Sequence, residues 1–262
     1  MELGLKGKTV IVTGGASNIG RGITLCFAKE GTNIVIADLD EKQAGKVAEE
    51  VKALGSKAIV VKADVTDYDD VEAMVRRAID EFGAVDVLVN NVGWDLMQLF
   101  IDTTLDFWDK VININYRSVL NCTKAVLGHM IERNSGVILS TGSDAGRIGE
   151  FREAVYGGTK GAVIAFTKAV AREVGRYNVR LNVVCPGVTV PKSEDEYGED
   201  SSWKFGRSFF TDEIMEKVKK AYPLRHLGTA DDVGNAMVFL ASDAANFITG
   251  QTLSVSGGYS MI

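Results

Sequence analysis

Seven short runs rich in β-branched residues recur along the chain, and longer stretches of helical period separate them. The runs are TVIVT (9–13), NIVIAD (33–38), KAIVVKAD (57–64), VDVLVNN (85–91), SGVILST (135–141), VRLNVVCP (179–186) and TLSVSGG (252–258). Helices are predicted at about 20–30, 41–54, 67–82, 105–133, 153–177 and 230–241. Strands that are apolar on both faces and alternate with helices form parallel sheets covered on both sides. The pattern therefore predicts an α/β fold: a single Rossmann-type doubly wound fold of about seven parallel strands with helices on both faces.

One segment, 187–212, interrupts this rhythm with polar and aromatic residues before the next helix. Loops of this length inside a compact domain are usually lids or binding loops, or are disordered. Only three prolines occur in the 262 residues, and the sequence has neither a Ser/Gly-rich linker nor a repeat of solenoid period. We therefore expect a single domain over 1–262, with a substrate-binding loop or lid at about 187–220.

Charge and composition argue against several classes of partner. The formal net charge of −6 argues against nucleic acid, because proteins that bind the phosphate backbone are usually basic. No apolar run approaches the roughly 20 residues that span a bilayer, and the N-terminus has no signal-peptide core. The cysteines show no Cys-x-x-Cys spacing, and the histidines show no metal-ligand spacing. We expect a cytoplasmic protein with buried free cysteines, no metal, and neither a membrane nor a nucleic-acid partner.

The segment TGGASNIG (13–20) follows the first predicted strand and precedes a helix. In an open parallel sheet this position binds the pyrophosphate of a dinucleotide, because glycines permit positive φ angles and a close backbone approach. Gly14 and Gly20 are present, but Asn18 stands where a third glycine is expected. After glycine, asparagine is the residue that best tolerates the left-handed region. We therefore expect the loop to keep its path and bind the cofactor, with a simple strand–helix turn as the alternative.

The second predicted strand ends in Asp38, about 20 residues after the glycine loop. A carboxylate at this place accepts hydrogen bonds from the adenine-ribose hydroxyls and repels a 2′-phosphate. Neither Ser17 nor Leu39 offers the positive charge that would bind such a phosphate. The sequence therefore favours NAD over NADP, unless Asp38 only caps the end of the strand.

One predicted helix carries Tyr156 and Lys160, which are four residues apart and therefore share a face. A nearby ammonium should lower the pKa of the phenol toward neutrality, so that Tyr156 can exchange a proton with an alcohol or a ketone. Ser143, after the fifth strand, could hydrogen-bond the reacting oxygen, and Asn115 could hold a water behind the lysine. A Tyr-x-x-x-Lys pair alone is mostly an accidental surface pair. Its combination with the glycine loop, Asp38 and Ser143 indicates an NAD-dependent oxidoreductase.

The motifs TGGASNIG, NNVG (90–93), YGGTK (156–160) and PG (186–187), with Asn115 and Ser143, resemble the short-chain dehydrogenase/reductase family in order and spacing. This resemblance covers essentially the whole chain. It implies that Tyr156 is the general acid/base, and that Lys160 lowers its pKa and holds the nicotinamide ribose. Ser143 would orient the substrate, and Asn115 would complete a proton relay. The resemblance also implies a homotetramer and the following cofactor-binding residues: Gly14, Ser17, Asn18, Ile19, Gly20, Asp38, Leu39, Asp64, Val65, Asn91, Val92, Gly93, Tyr156, Lys160, Pro186, Gly187 and Thr189.

The chain departs from the family pattern at three positions. Asn18 replaces the middle glycine, Val92 replaces an alanine, and Pro191 replaces a threonine that commonly fixes the nicotinamide carboxamide. The first two are small changes of volume or conformation, whereas a proline cannot donate a hydrogen bond. None of the three touches the proton-transfer residues, so we expect an active enzyme.

Within the family, NNVGWDL (90–96), SDAGRIG (143–149) and EAVY (153–156) resemble 2-hydroxycyclohexanecarboxyl-CoA dehydrogenases. These oxidise a β-hydroxy group on an alicyclic CoA thioester during ring degradation. A CoA thioester needs cationic groups for its phosphates and apolar surface for its acyl part. The candidate substrate-binding residues are Trp94, Ser143, Asp144, Arg147, Arg152, Trp203 and Arg207.

Three alternative functions remain open at this point. The first is an NAD-dependent dehydrogenase of a free alcohol, such as a polyol or an aryl alkanol. The second is a 3-ketoacyl-carrier-protein reductase, which Asp38 disfavours because that role usually uses NADPH. The third is a non-catalytic partner subunit that keeps the fold.

Overall fold

The computed structural model describes residues 2–199, 201, 204 and 211–262. Seven strands form one sheet: β1 (Thr9–Thr13), β2 (Asn33–Asp38), β3 (Lys57–Lys62), β4 (Val87–Asn90), β5 (Gly136–Thr141), β6 (Val179–Pro186) and β7 (Thr252–Val255). All neighbouring strands are parallel, and their order is β3-β2-β1-β4-β5-β6-β7. The order proceeds outward in opposite directions from β1 and β4, which is a doubly wound arrangement. The predicted fold class is confirmed.

The helices are α1 (Asn18–Lys29), α2 (Glu41–Ala53), α3 (Tyr68–Phe82), α4 (Leu105–Ile112), α5 (Ser118–Glu132), α6 (Ala145–Ile148), α7 (Ala154–Val174), α8 (Asp212–Ala221) and α9 (Ala230–Ala241). The stretch predicted as helical over 105–133 is two helices joined by a π-helical turn, Asn113–Arg117. Such turns are frequent at functional sites, and this one contains Asn115. Helix α8 lies inside the region predicted as a lid.

Both faces of the sheet are buried, as the apolar runs predict. Successive residues of β1 point to opposite layers: Val10 packs with α1, α2 and α9, whereas Ile11 packs with α3, α5 and α7. Phe27 is fully buried in the first layer and Met130 in the second. The three cysteines are buried and unbridged, as expected. Among the described helices, none has the length and apolar character needed to cross a bilayer.

Arg180 of β6 joins the sheet to the C-terminal end of α9. Its guanidinium donates to the carbonyl oxygens of Leu240 (2.8 Å), Ala241 (3.2 Å) and Ser242 (3.2 Å) and to that of Ile248 (3.2 Å). The last carbonyl groups of a helix lack partners within the helix and carry partial negative charge. A single half-buried cation therefore caps α9 and fixes the chain that leads into β7.

Several strands are shorter than predicted at their carboxyl ends. β3 ends at Lys62 and β4 at Asn90, so Asp64 and Asn91 lie in the loops that follow. β7 ends at Val255, because Gly257 and Gly258 have φ angles of 57° and 85°, which no extended strand accommodates. These shortenings place the candidate cofactor residues in loops at one edge of the sheet.

Candidate active site

The glycine loop passes from β1 into α1 along a path that two of its residues enforce. Gly14 has a φ angle of 61°, and a side chain at Gly20 would overlap the carbonyl oxygen of Gly14. Asn18 has a φ angle of 42°, which confirms that it occupies the left-handed region. The Asn18 side chain is buried, and its Nδ2 donates to the carbonyl oxygen of Thr189 at 3.2 Å. Asparagine therefore keeps the path of the loop and also ties it to the chain after β6.

The segment 192–199 lies against the glycine loop and the starts of α1 and α2. The backbone N–H of Gly198 donates to Ser17 Oγ (3.0 Å), and Gln43 Nε2 donates to the carbonyl oxygen of Asp195 (2.8 Å). Glu196 forms an ion pair with Arg21 at 3.4 Å. Part of the predicted lid therefore covers this edge of the sheet. Ser17, a predicted cofactor-binding residue, has its hydroxyl engaged by the segment.

Asp38 stands at the end of β2 and holds the glycine loop through its carboxylate. Oδ2 accepts the backbone N–H of Ala16 at 3.0 Å, and Oδ1 accepts that of Asp40 at 3.1 Å. Burial raises the pKa of Asp38, although these two hydrogen bonds oppose the rise. Each oxygen keeps a further lone pair that a ribose hydroxyl could use.

Other predicted cofactor residues hold the backbone at the same edge. Asn91 Nδ2 donates to the carbonyl oxygens of Thr13 and Gly14, and its Oδ1 accepts the Thr141 hydroxyl at 3.2 Å. Asp64 Oδ1 accepts both the N–H and the hydroxyl of Thr66. The remaining members are Leu39, which is exposed, Val65, which is buried, and Ile19, Val92, Pro186 and Gly187, which are half-buried. Asn91 thus joins the ends of β1, β4 and β5.

Tyr156 and Lys160 lie on the first two turns of α7, and Ser143 lies in the loop after β5. The Ser143 hydroxyl lies beside the phenol of Tyr156 and lowers the pKa of that phenol. Lys160 is buried, and its Nζ donates to the carbonyl oxygen of Thr141 at 2.9 Å while lying 5.4 Å from the centroid of the Tyr156 ring. The structure therefore brings the predicted serine, tyrosine and lysine together.

The expectation that Lys160 lowers the pKa of Tyr156 is wrong for this structure. Burial raises the pKa of the phenol, and the carboxyl groups of Glu153 and Asp95 raise it further, while the Ser143 hydroxyl opposes them. Burial lowers the pKa of Lys160 to about 8. The physical reason is position: the ammonium lies beneath the ring and is bound to Thr141, so its charge does not dominate at the phenolic oxygen. Tyr156 is therefore protonated at neutral pH.

Asn115 lies fully buried in the π-helical turn and fixes the loop after β4. Its Nδ2 donates to the carbonyl oxygens of Trp94 (2.6 Å) and Val111 (3.0 Å), and its Oδ1 accepts the N–H of Trp94 (3.2 Å). Gly93 lies between Asn115 and Lys160, since a Cβ placed on it would be 3.0 Å from Asn115 Oδ1 and 3.4 Å from Lys160 Nζ. Asn115 is thus adjacent to the lysine, as predicted, with its amide bound to backbone.

The predicted substrate-binding residues divide into two groups. Asp144 and Arg147 form an ion pair at 3.6 Å, and both hydrogen-bond the hydroxyl of Ser254 in β7. Because these contacts engage the guanidinium and one carboxylate oxygen, the pair fastens β7 to the loop after β5. Arg152 is exposed with a φ angle of 71°, and Trp94 is half-buried with Lys110 Nζ 3.9 Å from its ring centroid. Trp203 and Arg207 lie outside the described residues.

Two carboxyl groups beside Tyr156 were missed by the sequence analysis. Asp95 follows Trp94, and its Oδ2 is buried without a hydrogen-bond partner among the described residues. Glu153 lies at the start of α7, one turn before Tyr156. Burial raises the pKa of Asp95 to about 6, and burial together with Asp95 raises that of Glu153 to about 7. Asp95 lies in the motif NNVGWDL and Glu153 in EAVY, but their separation of 58 residues in the sequence does not indicate that the two carboxyl groups are neighbours.

Metal chemistry has no candidate site in the part of the chain that the structure describes. No group of three or more His, Cys, Asp or Glu side chains there is arranged to hold an ion.

Comparison with protein families gives a match over residues 14–260 to the family model described as enoyl-(acyl carrier protein) reductase. The chain is 36% identical over 255 residues to 3-oxoacyl-(acyl-carrier-protein) reductase FabG of Staphylococcus aureus, covering 97% of this chain and 98% of that protein. It is 34% identical over 260 residues to (2S)-((R)-hydroxy(phenyl)methyl)succinyl-CoA dehydrogenase subunit BbsD of Thauera aromatica, covering 99% of each.

Among solved structures, the fold is similar to that of a 7α-hydroxysteroid dehydrogenase complexed with NADH and 7-oxo glycochenodeoxycholic acid. The TM-score is 0.89 at 31% sequence identity, and the similarity covers 98% of this chain and 96% of that one. The similarity to each of these relatives extends over the whole sheet, the glycine loop and the group formed by Ser143, Tyr156 and Lys160.

Proposed function

Because this chain belongs to the short-chain dehydrogenase/reductase family, and so interconverts alcohols and ketones, we propose that its substrate is a β-hydroxyacyl thioester and its cofactor NAD. The observation that carries the proposed chemistry is the grouping of Tyr156 with Ser143 and with the buried Lys160, whose Nζ lies 5.4 Å from the centroid of the tyrosine ring. A hydroxyl pair at the carboxyl edge of a doubly wound sheet is suited to proton exchange with a substrate oxygen.

Tyr156 is the proton-transfer group in this proposal. During ketone reduction its phenol donates a proton to the substrate oxygen, and during alcohol oxidation its phenolate accepts one. Ser143 orients the same oxygen through its hydroxyl. NAD, when bound, accepts the hydride, and its reduced form supplies one. Since burial raises the pKa of Tyr156, its phenol holds at neutral pH the proton that ketone reduction requires.

The residues at the sheet edge fit NAD. Gly14 and Gly20 allow the loop to pack closely against its own backbone and against Asn91, and the Ser17 hydroxyl does not cap the N-terminus of α1. Amide groups left free at a helix N-terminus bind phosphate. Asp38, with Asp40 two residues beyond, puts negative charge where a 2′-phosphate would lie, and Arg21 is already paired with Glu50 and Glu196. These charges support NAD over NADP.

A CoA thioester with an alicyclic acyl group, such as 2-hydroxycyclohexanecarboxyl-CoA, is the substrate we propose in detail. The names of two relatives specify acyl thioesters, one on CoA and one on a carrier protein. Exposed apolar side chains surround the loops that lead to Tyr156 and offer surface to an acyl group: Leu96, Met97, Phe100, Ile148 and Phe151. Arg152 remains the exposed cation for phosphate, since Arg147 is engaged with Asp144 and Ser254.

The test is NADH consumption with 2-ketocyclohexanecarboxyl-CoA, acetoacetyl-CoA and matching ketones without CoA. We expect the thioesters to be preferred and the cyclic thioester to be turned over best. Tyr156→Phe serves as the control, because it removes the phenolic proton without changing the ring. Equal or better turnover of free ketones would contradict the thioester assignment and leave an NAD-dependent dehydrogenase of free alcohols.

A second candidate is a 3-oxoacyl-(acyl-carrier-protein) reductase, which the 36% identity to the staphylococcal enzyme favours. It predicts a preference for the carrier-protein thioester over the CoA thioester. Running both thioesters with NADH and with NADPH separates the two candidates. A non-catalytic subunit would consume neither cofactor with any of these substrates.

We also propose a cytoplasmic homotetramer. Large apolar side chains lie exposed in two parts of the sequence. One is the C-terminal region, with Phe247 and Met261, and the other is the start of α4 and the turn before it, with Leu105 and Ile101. Exposed apolar patches mark association surfaces, and two patches on one protomer permit a closed assembly of four. Light scattering after size-exclusion chromatography measures the mass, and a monomer would refute this assembly.

A further inference from the structure

We propose that Asp95 and Glu153 form a charge filter beside Tyr156 that admits an uncharged thioester and rejects the corresponding free carboxylate. This inference rests on the proposed function and deepens it, because it names what distinguishes the thioester from the free acid. We call the two side chains the carboxyl pair.

The position of the carboxyl pair follows from two loops that are fastened together. The backbone N–H of Gln98 donates to the carbonyl oxygen of Arg152 at 2.9 Å, which joins the loop containing Asp95 to the one that precedes α7. Glu153 occupies the N-cap position of α7, three residues before Tyr156, so both residues lie on one face. Asp95 and Glu153 therefore come from two adjoining segments, and both lie near enough to Tyr156 for their charges to raise the pKa of its phenol.

Among the described residues, neither member of the carboxyl pair has a cationic partner that would explain it. Asp95 Oδ2 is buried and unpartnered, and the Glu153 side chain does not cap α7 although it stands at the capping position. In the described part of the chain, no lysine, arginine or histidine forms an ion pair with either carboxyl group. Buried carboxyl groups without a cation are costly, and such groups concentrate at functional sites.

The charged groups around the carboxyl pair do not neutralise its negative charge. Glu150 in the same loop accepts a hydrogen bond from the Tyr259 hydroxyl at 2.6 Å, which adds a third carboxyl group. Two nearby cations have other partners: Lys160 Nζ donates to the carbonyl oxygen of Thr141, and Lys110 Nζ lies 3.9 Å from the ring centroid of Trp94. Arg152 is exposed. A negative charge on the substrate close to the reacting carbon would therefore meet repulsion, whereas a thioester would not.

The test compares acetoacetate, ethyl acetoacetate and acetoacetyl-CoA as substrates for NADH oxidation by the full chain. The measured quantity is the ratio of kcat/KM for the acid to kcat/KM for the ethyl ester, because a ratio on one protein is independent of its folded fraction. Asp95→Asn and Glu153→Gln should each raise the ratio by roughly ten-fold, since unit charges several ångströms apart in a partly buried site interact with about this strength. Glu173→Gln, which removes an exposed carboxylate near the other end of α7, should leave the ratio unchanged.

A pH series adds a second test, because the ratio of kcat/KM values would not depend on pH if Asp95 and Glu153 had only a structural role. Lowering the pH from 8 to 6 protonates most of Glu153 and about half of Asp95 while acetoacetate stays ionised, so the ratio should rise in the natural protein and stay flat in the doubly substituted Asp95→Asn, Glu153→Gln variant. Equal ratios in all variants at every pH would overturn the inference, whatever the thioester result. Turnover of the ethyl ester without turnover of acetoacetyl-CoA would contradict the proposed function while the ratio still tests the filter. An enzyme that reduces none of the three would contradict both.

Discussion

Replacing Asp38 by asparagine tests whether the end of β2 selects the cofactor by charge. The carboxylate and a 2′-phosphate oxygen about 5 Å apart, at an effective dielectric near 20, repel each other by about 3 kcal/mol, and salt reduces this to about 1.5–3 kcal/mol. The Asp38→Asn substitution removes this repulsion, so the preference for NADH over NADPH should fall by about 10- to 100-fold.

The same substitution has a structural cost that must be separated from the electrostatic one. Asp38 accepts the N–H groups of Ala16 and Asp40 through different oxygens, and asparagine keeps only one acceptor. The lost hydrogen bond weakens the glycine loop by about 1 kcal/mol. This loss affects both cofactors alike and cancels in the ratio of the two kcat/KM values.

The assay measures kcat/KM for NADH and for NADPH with one saturating ketone at fixed ionic strength. Asp67→Asn is the matched control, because Asp67 also accepts two backbone N–H groups, at the start of α3, and is exposed. The control should retain the preference of the natural protein. A cofactor ratio that changes by less than about three-fold in Asp38→Asn would refute the electrostatic argument.

Three further outcomes are expected. Tyr156→Phe should lower kcat by about 10²- to 10⁴-fold while leaving the melting temperature nearly unchanged, as steady-state kinetics and calorimetry would show; retained turnover would exclude Tyr156 as the proton donor. Asn18→Gly should bind NADH nearly as well as the natural protein, whereas Asn18→Val should bind it at least several-fold more weakly in fluorescence titrations, because a β-branched residue resists a φ angle of 42°. Arg180→Met should lower the free energy of unfolding by about 2–4 kcal/mol in urea titrations, since it leaves the carbonyl oxygens of Leu240 and Ala241 without a donor among the described residues, and a loss below about 0.5 kcal/mol would contradict the capping role.

Local chemistry explains why much of the site could be predicted. The conformation of Asn18 depends on its own backbone preference and on the glycines beside it, so the sequence indicated a left-handed residue that the structure contains. The shared face of Tyr156 and Lys160 depends only on helical period. Both features are settled within a few residues, and a sequence reports such short-range constraints directly.

Other features depend on contacts between distant segments and could not be predicted. Arg147 was expected to face a substrate, but it pairs with Asp144 and bonds Ser254, which lies 107 residues further along the chain. The pKa of Tyr156 depends on its depth and on Asp95, which comes from a loop about 60 residues earlier. Helical spacing placed the lysine on the correct face, yet it could not give the distance between the ammonium and the phenolic oxygen.

The residues of the family motifs serve the backbone as much as the ligands. Asn91 joins the ends of three strands, Asp38 holds the glycine loop, and the amide of Asn115 fixes Trp94. Because the same side chains set the loop geometry that a dinucleotide requires, substitutions there should reduce stability and cofactor affinity together. Tyr156 has its phenol turned to Ser143, so its removal should cost turnover alone. The expected effects differ because Asn91, Asp38 and Asn115 hydrogen-bond the backbone, whereas within the described residues the phenol of Tyr156 does not. Substitutions can therefore distinguish residues that hold the loops of the site from the residue that transfers the proton.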